Sequence, residues 1–164
     1  YAENLAFSPD VIEQAKAALC NGATIVTDTN MALSGISKPS LTKLGAKALC
    51  LMADPDIARE AKERGVTRAV VSMEHAARLD GPLIFAVGNA PTALIRLHEL
   101  IGKDEVKPAL VIGVPVGFVN VVEAKELFIG GKTPYIIARG RKGGSNVAAA
   151  IVNALLYQLD GSRR

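Results

Sequence analysis

The stretch Leu83-Ile84-Phe85-Ala86-Val87-Gly88-Asn89-Ala90-Pro91-Thr92 decides how this chain folds. Leu83 to Val87 form an unbroken apolar run behind the turn signal Gly81-Pro82. Such a run predicts a strand covered on both faces, as in a parallel sheet. Gly88 breaks the run and the next residues open a helix. Asn89 is available to cap free amides, and Pro91 has no N–H to waste in the first turn. Leu94, Leu97, His98 and Ile101 then recur at helical spacing. A buried strand that ends in a glycine turn and feeds a helix is where open α/β sheets bind ligands.

Downstream the design recurs: Ala109-Leu110-Val111-Ile112-Gly113 runs into Val114-Pro115-Val116-Gly117-Phe118. The two turns read either as ordinary strand-to-helix connections or as walls of one crevice. Upstream, Ser8-Pro9-Asp10 starts a helix whose stripe is Val11, Ile12, Ala15, Ala18 and Leu19, and Asn21-Gly22 stops it. Ala23 to Thr27 is a β-branched strand. Asp28 behind it reads as a cap for a short helix ending at Gly35, or as a carboxylate aimed into the crevice. Residues 34–39 read as loop, Ala46 to Met52 as strand, 56–64 as a charged amphipathic helix ended by Gly65.

Thr67 caps a helix reaching Arg78. Arg68 sits in its first turn, where the helix dipole does not favour a cation, so it is either a solvated arginine or the partner of a ligand anion. A charged connector, Gly102 to Pro108, precedes the second glycine-ended strand. Asn120 caps a helix carrying Val121, Val122, Ala124, Leu127 and Phe128, with Glu123 and Lys125 expected in solvent. Pro134 to Ala138 is the fifth strand, Ser145 caps the last helix (Val147, Ala150, Ile151, Leu155), and Leu159 to Arg164 is a tail. Five strands alternating with helices predict one α/β domain over residues 1–164. It is a three-layer sandwich with a mostly parallel five-stranded sheet and helices on both faces.

The 164 residues are 49% hydrophobic but only 4% aromatic, so aliphatic side chains build the core. No apolar run is long enough to span a bilayer and no secretory signal is visible, which predicts a cytoplasmic protein without membrane contact. The net charge of +3 favours an anionic ligand. Nucleic acid is a poor candidate, because the aromatic platforms and basic stripes of its readers are missing. Cys20 and Cys50 make no C-x-x-C and read as reduced thiols, with a disulfide between them the alternative. The chain opens on Tyr1 rather than methionine, as a piece of a longer protein would.

Arg139-Gly140-Arg141-Lys142-Gly143-Gly144-Ser145 places three cations and three glycines before a helix N-terminus, whose free amides attract anions. It matches neither the P-loop nor the dinucleotide fingerprint. It reads as an anion-binding turn or as a flexible basic one. No acid–base catalyst stands out. His98 lies on an apolar stripe and reads as a core histidine, while His75 lies beside Glu74 on an exposed helix. No His or Cys has metal-ligand spacing, and no nucleophile motif occurs.

Gly88-Asn89-Ala90-Pro91-Thr92-Ala93-Leu94, Gly113-Val114-Pro115-Val116-Gly117-Phe118-Val119 and Arg139 to Ser145 resemble the signature segments of precorrin-8X methylmutase. This corrin-ring isomerase of cobalamin biosynthesis also occurs as a cobalt-precorrin-8 methylmutase. The similarity runs from Phe7-Ser8-Pro9 to the last helix. It implies a methyl migration within ring C, a polycarboxylate corrin macrocycle as substrate and product, no cofactor, no metal and a homodimer. By the same resemblance the substrate site comprises Asp28, Asn30, Met31, Ile36, Ser37 and Arg68. Asn89, Ala90, Pro91, Thr92, Val114, Pro115, Val116, Gly117, Arg139 and Ser145 complete it. The family's catalytic histidine lies upstream of the segment matching Asn4 to Pro9, and neither His75 nor His98 corresponds to it. A corrinoid-binding protein without catalysis and a nucleotide- or phosphate-binding α/β module are the other readings.

Overall fold

The computed structural model describes residues 4–161. Its sheet has strands β1 (Leu5–Phe7), β2 (Thr24–Thr27), β3 (Lys47–Cys50), β4 (Leu83–Val87), β5 (Leu110–Gly113) and β6 (Tyr135–Ala138). They lie in the order β1-β6-β5-β4-β2-β3, parallel except β1, which pairs antiparallel with β6. The helices are α1 (Val11–Cys20), α2 (Asn30–Gly35), α3 (Lys38–Leu44), α4 (Pro55–Arg64), α5 (Arg68–Ala76), α6 (Pro91–Gly102), α7 (Val121–Glu126) and α8 (Ser145–Asp160).

Every residue of β2, β4, β5 and β6 is buried, which is why these strands read as continuous apolar runs. Alternate side chains serve opposite faces. Ile25, Ile84, Ala86, Leu110, Ile112 and Ile136 pack under α1, α2, α3 and α8. Val26, Phe85, Val87, Val111 and Ile137 pack under α5, α6 and α7. Helix α4 is seated on α5 through Ile57, Ala61 and Val71.

The architecture agrees with the sequence; several boundaries do not. A sixth strand, β1, pairs Leu5 with Ala138 and Phe7 with Ile136. Ser8 is not a helix cap. Its Oγ accepts from the Tyr135 amide at 2.8 Å, and α1 begins at Val11 behind Asp10 with φ 59°. The stretch 34–39 is not one loop, because α2 runs to Gly35 and Ser37 caps α3 by accepting from the Ser40 amide. Pro39 sits in the first turn of α3, where its missing N–H costs nothing. Helix α5 stops at Ala76, two residues short of Arg78.

Asn89 and Asn120 make no capping hydrogen bond, and the residue preceding α8 is Gly144 rather than Ser145. The tail is helical as far as Asp160. Ser40 Oγ donates to the buried Asp160 carboxylate, and Lys43 Nζ donates to its backbone carbonyl. Residues 162–164 of that tail lie outside the described residues. Cys20 and Cys50 are free thiols. No described helix is long and apolar enough to cross a membrane.

Candidate functional site

Parallel pairing of β2, β4, β5 and β6 brings four strand ends to one edge of the sheet, with Asp28, Gly88, Val114 and Arg139 directly behind them. Asp28 is 1% exposed. Its Oδ1 accepts from the Gly88 amide at 2.8 Å, and its Oδ2 accepts from the amides of Asn89 (2.9 Å) and Ala90 (2.6 Å). Burial pushes its carboxyl above the usual range, while these three amides hold it down. The carboxylate neither caps α2 nor faces the crevice. Thr29 caps α2, accepting from the Ala32 amide at 3.0 Å. Asp28 instead ties the end of β2 to the entry of α6, an internal anion filling a nest of amides.

The starts of α2, α5 and α6 surround a cleft of about 500 Å³ lined by Asn30, Met52, Thr67, Arg68, Ala90 and Thr92. Thr67 caps α5 and also faces Thr92 across the cleft, hydroxyl to hydroxyl at 3.4 Å. Arg68 is exposed, with only a 3.5 Å contact from Nη1 to the Met52 carbonyl. An exposed guanidinium beside the N-termini of α5 and α6 suits an anionic ligand group.

The basic turn packs against the ends of β4 and β5 at the same sheet edge. Gly143 lies so close to β5 that a Cβ there would meet the Val114 carbonyl oxygen at 2.0 Å, and the Gly144 amide donates to that oxygen at 2.8 Å. Gly88 is pressed against the same turn: an added Cβ would lie 2.8 Å from the Gly144 carbonyl oxygen and from Ser145 Cα. Ser145 Oγ meets Thr29 Oγ1 at 2.8 Å, so α8 opens beside α2. Of the three cations, Arg139 is held by Glu126, Arg141 lies 5.7 Å over the Phe118 ring, and Lys142 is exposed. Phe118 and Val119 are themselves 82% and 79% exposed.

The residues expected at the site therefore divide. Asn30, Arg68, Ala90 and Thr92 line the cleft, while Met31, Asn89, Val116 and Arg139 are exposed. Pro91, partly exposed, begins α6 beside them, and Gly117 is tied through its amide to the Arg141 carbonyl. Ile36, Val114 and Pro115 are buried, and Ser37 is occupied as a cap whose own amide donates to Asn153. Neither histidine lines the cleft.

His98 is exposed, edge-on to Phe128, and is not a core residue. The buried stripe of α6 is Ala93, Leu94, Leu97 and Leu100, which leaves position 98 roughly 110° round the helix. His75 is partly buried and bonds to Glu60 at 2.9 Å. Among the described residues no acidic, His or Cys cluster could hold a metal ion.

Lys125 was expected in solvent and is wholly buried. Its Nζ donates to the carbonyls of Gly140 (2.8 Å) and Lys142 (2.9 Å). Its spacing gave one signal: position 125 lies four residues after Val121 and three before Phe128, both buried, and so shares their helical face.

Residues 1–158 match the family model described as "Precorrin-8X methylmutase". The chain belongs to the precorrin-8X methylmutase family. The cobalt-precorrin-8 methylmutase of Salmonella typhimurium is 48% identical over 154 residues, covering 93% of this chain and 71% of that protein. The precorrin-8X methylmutase of Pseudomonas aeruginosa is 41% identical, covering 93% of this chain and 74% of that one. The precorrin-8X methylmutase structure from Thermus thermophilus superposes with a TM-score of 0.89 at 38% identity, covering all of this chain and 80% of that one. The protein is thus an enzyme of the methylmutase type, an isomerase of cobalamin biosynthesis.

Proposed function

We propose that this chain builds the macrocycle site of a methylmutase that moves a methyl group between neighbouring carbons of ring C. The substrate is precorrin-8X or cobalt-precorrin-8, and the product has the hydrogenobyrinic or cobyrinic acid skeleton. The observation that carries the reading is the crevice itself. Arg68, Arg141, Lys142 and the starts of α5, α6 and α8 lie around one sheet edge and offer several cations and helix ends to the carboxylate arms of one large ring. A migration of this kind needs a rigid pocket to select one product and a proton donor to polarise the π-system. Asp28 and the packed glycines 88 and 143 supply rigidity.

Asn30, Met31, Arg68, Asn89 to Thr92, Val116, Gly117, Arg139 and Ser145 are the proposed contacts. Asp28, Ile36, Ser37, Val114 and Pro115 support them from behind. The proton donor is the family's upstream histidine, and the working form is a cytoplasmic homodimer whose two-fold axis completes the pocket. The test is gel filtration of the chain with hydrogenobyrinic acid, the coloured product. Co-elution of colour with protein, with an unchanged corrin spectrum, is expected. A folded sample that leaves the pigment behind would overturn the assignment of the ring to residues 1–164.

A further inference from the structure

We propose that Lys125 is a positioning residue for the macrocycle site: its enclosed ammonium clamps the basic turn and so sets where α8 opens into the crevice. The inference rests on the reading of the crevice given above.

Burying an ammonium costs far more than burying an apolar chain, unless hydrogen bonds compensate. Lys125 is wholly inaccessible, and among the described residues no carboxylate pairs with it. Its partners are two main-chain carbonyls, Gly140 and Lys142, both in the turn between β6 and α8. Core packing alone does not account for it, since Val121, Ala124 and Phe128 supply the apolar contacts of this segment.

The turn needs holding. Gly140, Gly143 and Gly144 have φ of 85°, 157° and 123°, and Arg139, Arg141 and Lys142 repel one another along it. The clamped carbonyls, Gly140 and Lys142, flank Arg141, and two hydrogen bonds seat the turn on β5 and its loop: Gly117 amide to Arg141 carbonyl (3.1 Å) and Gly144 amide to Val114 carbonyl (2.8 Å). Ser145, next in the chain, meets Thr29 at the start of α2. Releasing Lys125 therefore frees the cationic wall of the site while leaving the sheet intact.

The test compares wild type with Lys125→Met, of similar length but without donor or charge. Both are measured for melting temperature, for hydrogen exchange of the Gly117 and Gly144 amides, and for affinity toward the same corrin probe. We expect Lys125→Met to melt within about 4 °C of wild type, because trading a buried charge for an apolar chain is often neutral. Exchange at the two amides should quicken about tenfold and corrin affinity should fall about tenfold, the scale of hydrogen bonds to a charged donor.

A rescue arm covers the case in which Lys125→Met does not fold. Lys125→Cys, in a chain carrying Cys20→Ser and Cys50→Ser, is alkylated with 2-bromoethylamine while unfolded and then refolded, which rebuilds an ammonium of lysine length. Alkylation should restore both amide protection and affinity. Unchanged amide protection in Lys125→Met, affinity within about twofold of wild type, or failure of alkylation to restore either would overturn the proposal. If wild type itself does not bind the corrin, the reading of the crevice fails, and amide exchange still decides the clamp.

Discussion

Replacing Asp28 by Asn separates two accounts of this carboxylate. If it faced the ligand, Asp28→Asn would weaken binding and leave folding stability unchanged. In the structure both oxygens are committed to the Gly88, Asn89 and Ala90 amides at 2.6–2.9 Å. An asparagine keeps one oxygen, best placed on the Asn89 and Ala90 amides, and turns an NH₂ group toward the buried Gly88 N–H. One charge-assisted hydrogen bond is lost and one buried donor is stranded, each costing roughly 1–3 kcal/mol. Removing a buried charge returns part of this, since burial opposes the ionised form. The net expectation is about 2 kcal/mol, and about 4 kcal/mol for Asp28→Ala, which strands all three amides. Urea unfolding at pH 7 reads this as a lower midpoint with an unchanged slope, and about 2 kcal/mol corresponds to a melting shift of roughly 4–8 °C at this chain length. Asp28→Asn within about 0.5 kcal/mol of wild type would refute the account.

Four further outcomes follow from the packing. Burial holds Lys125 at about 8, below an ordinary lysine near 10.5. Between those values the unfolded chain binds more protons than the folded one. The stability of wild type relative to Lys125→Met should therefore rise with pH across that window, by up to about 3 kcal/mol, in paired urea titrations. Glu74 is buried between Arg64 and Arg96, and Arg64 first, with help from Arg96, holds its carboxyl below the usual range. Glu74→Ala should cost about 3 kcal/mol at pH 7. That difference should shrink as acid titration falls below 4.5 and through the lower folded value, because stability from a depressed carboxyl is present only above it. Gly88→Ala should cost about 1–3 kcal/mol and loosen Ser145, since its Cβ meets backbone with nowhere to move. Gly65→Ala, in open space at φ 67°, should cost about 1 kcal/mol by thermal melting and leave the crevice unaffected.

How much of the site was legible depended on whether the signal was local. The glycine-ended turns after β4 and β5 and the basic turn after β6 are contiguous motifs, and all three meet at the sheet edge as expected. Thr67 beside Arg68 could likewise be read as a cap, because capping involves residues three positions apart. Asp28 could not be interpreted in the same way. Its partners lie 60 to 62 residues away, and an aspartate before a short helix looks locally like a cap. Lys125 was misread for a similar reason: a lone lysine in an amphipathic segment usually marks the wet face, and nothing local announces two carbonyls 15 and 17 residues on.

By itself the sequence determined the layers of this protein and which strand ends its glycine-rich and basic turns follow. Apolar runs of strand length, punctuated by glycine and alternating with helical stripes, have few other ways to bury their surface. Only the tertiary structure decided what each polar group does there. Long-range parallel pairing placed the Asp28 carboxylate on three amides of the next loop, drew Lys125 under the basic turn, and added the antiparallel β1 at the sheet edge. The physical reason is that a buried charge must find partners wherever the fold supplies them, and those partners are distant in the chain.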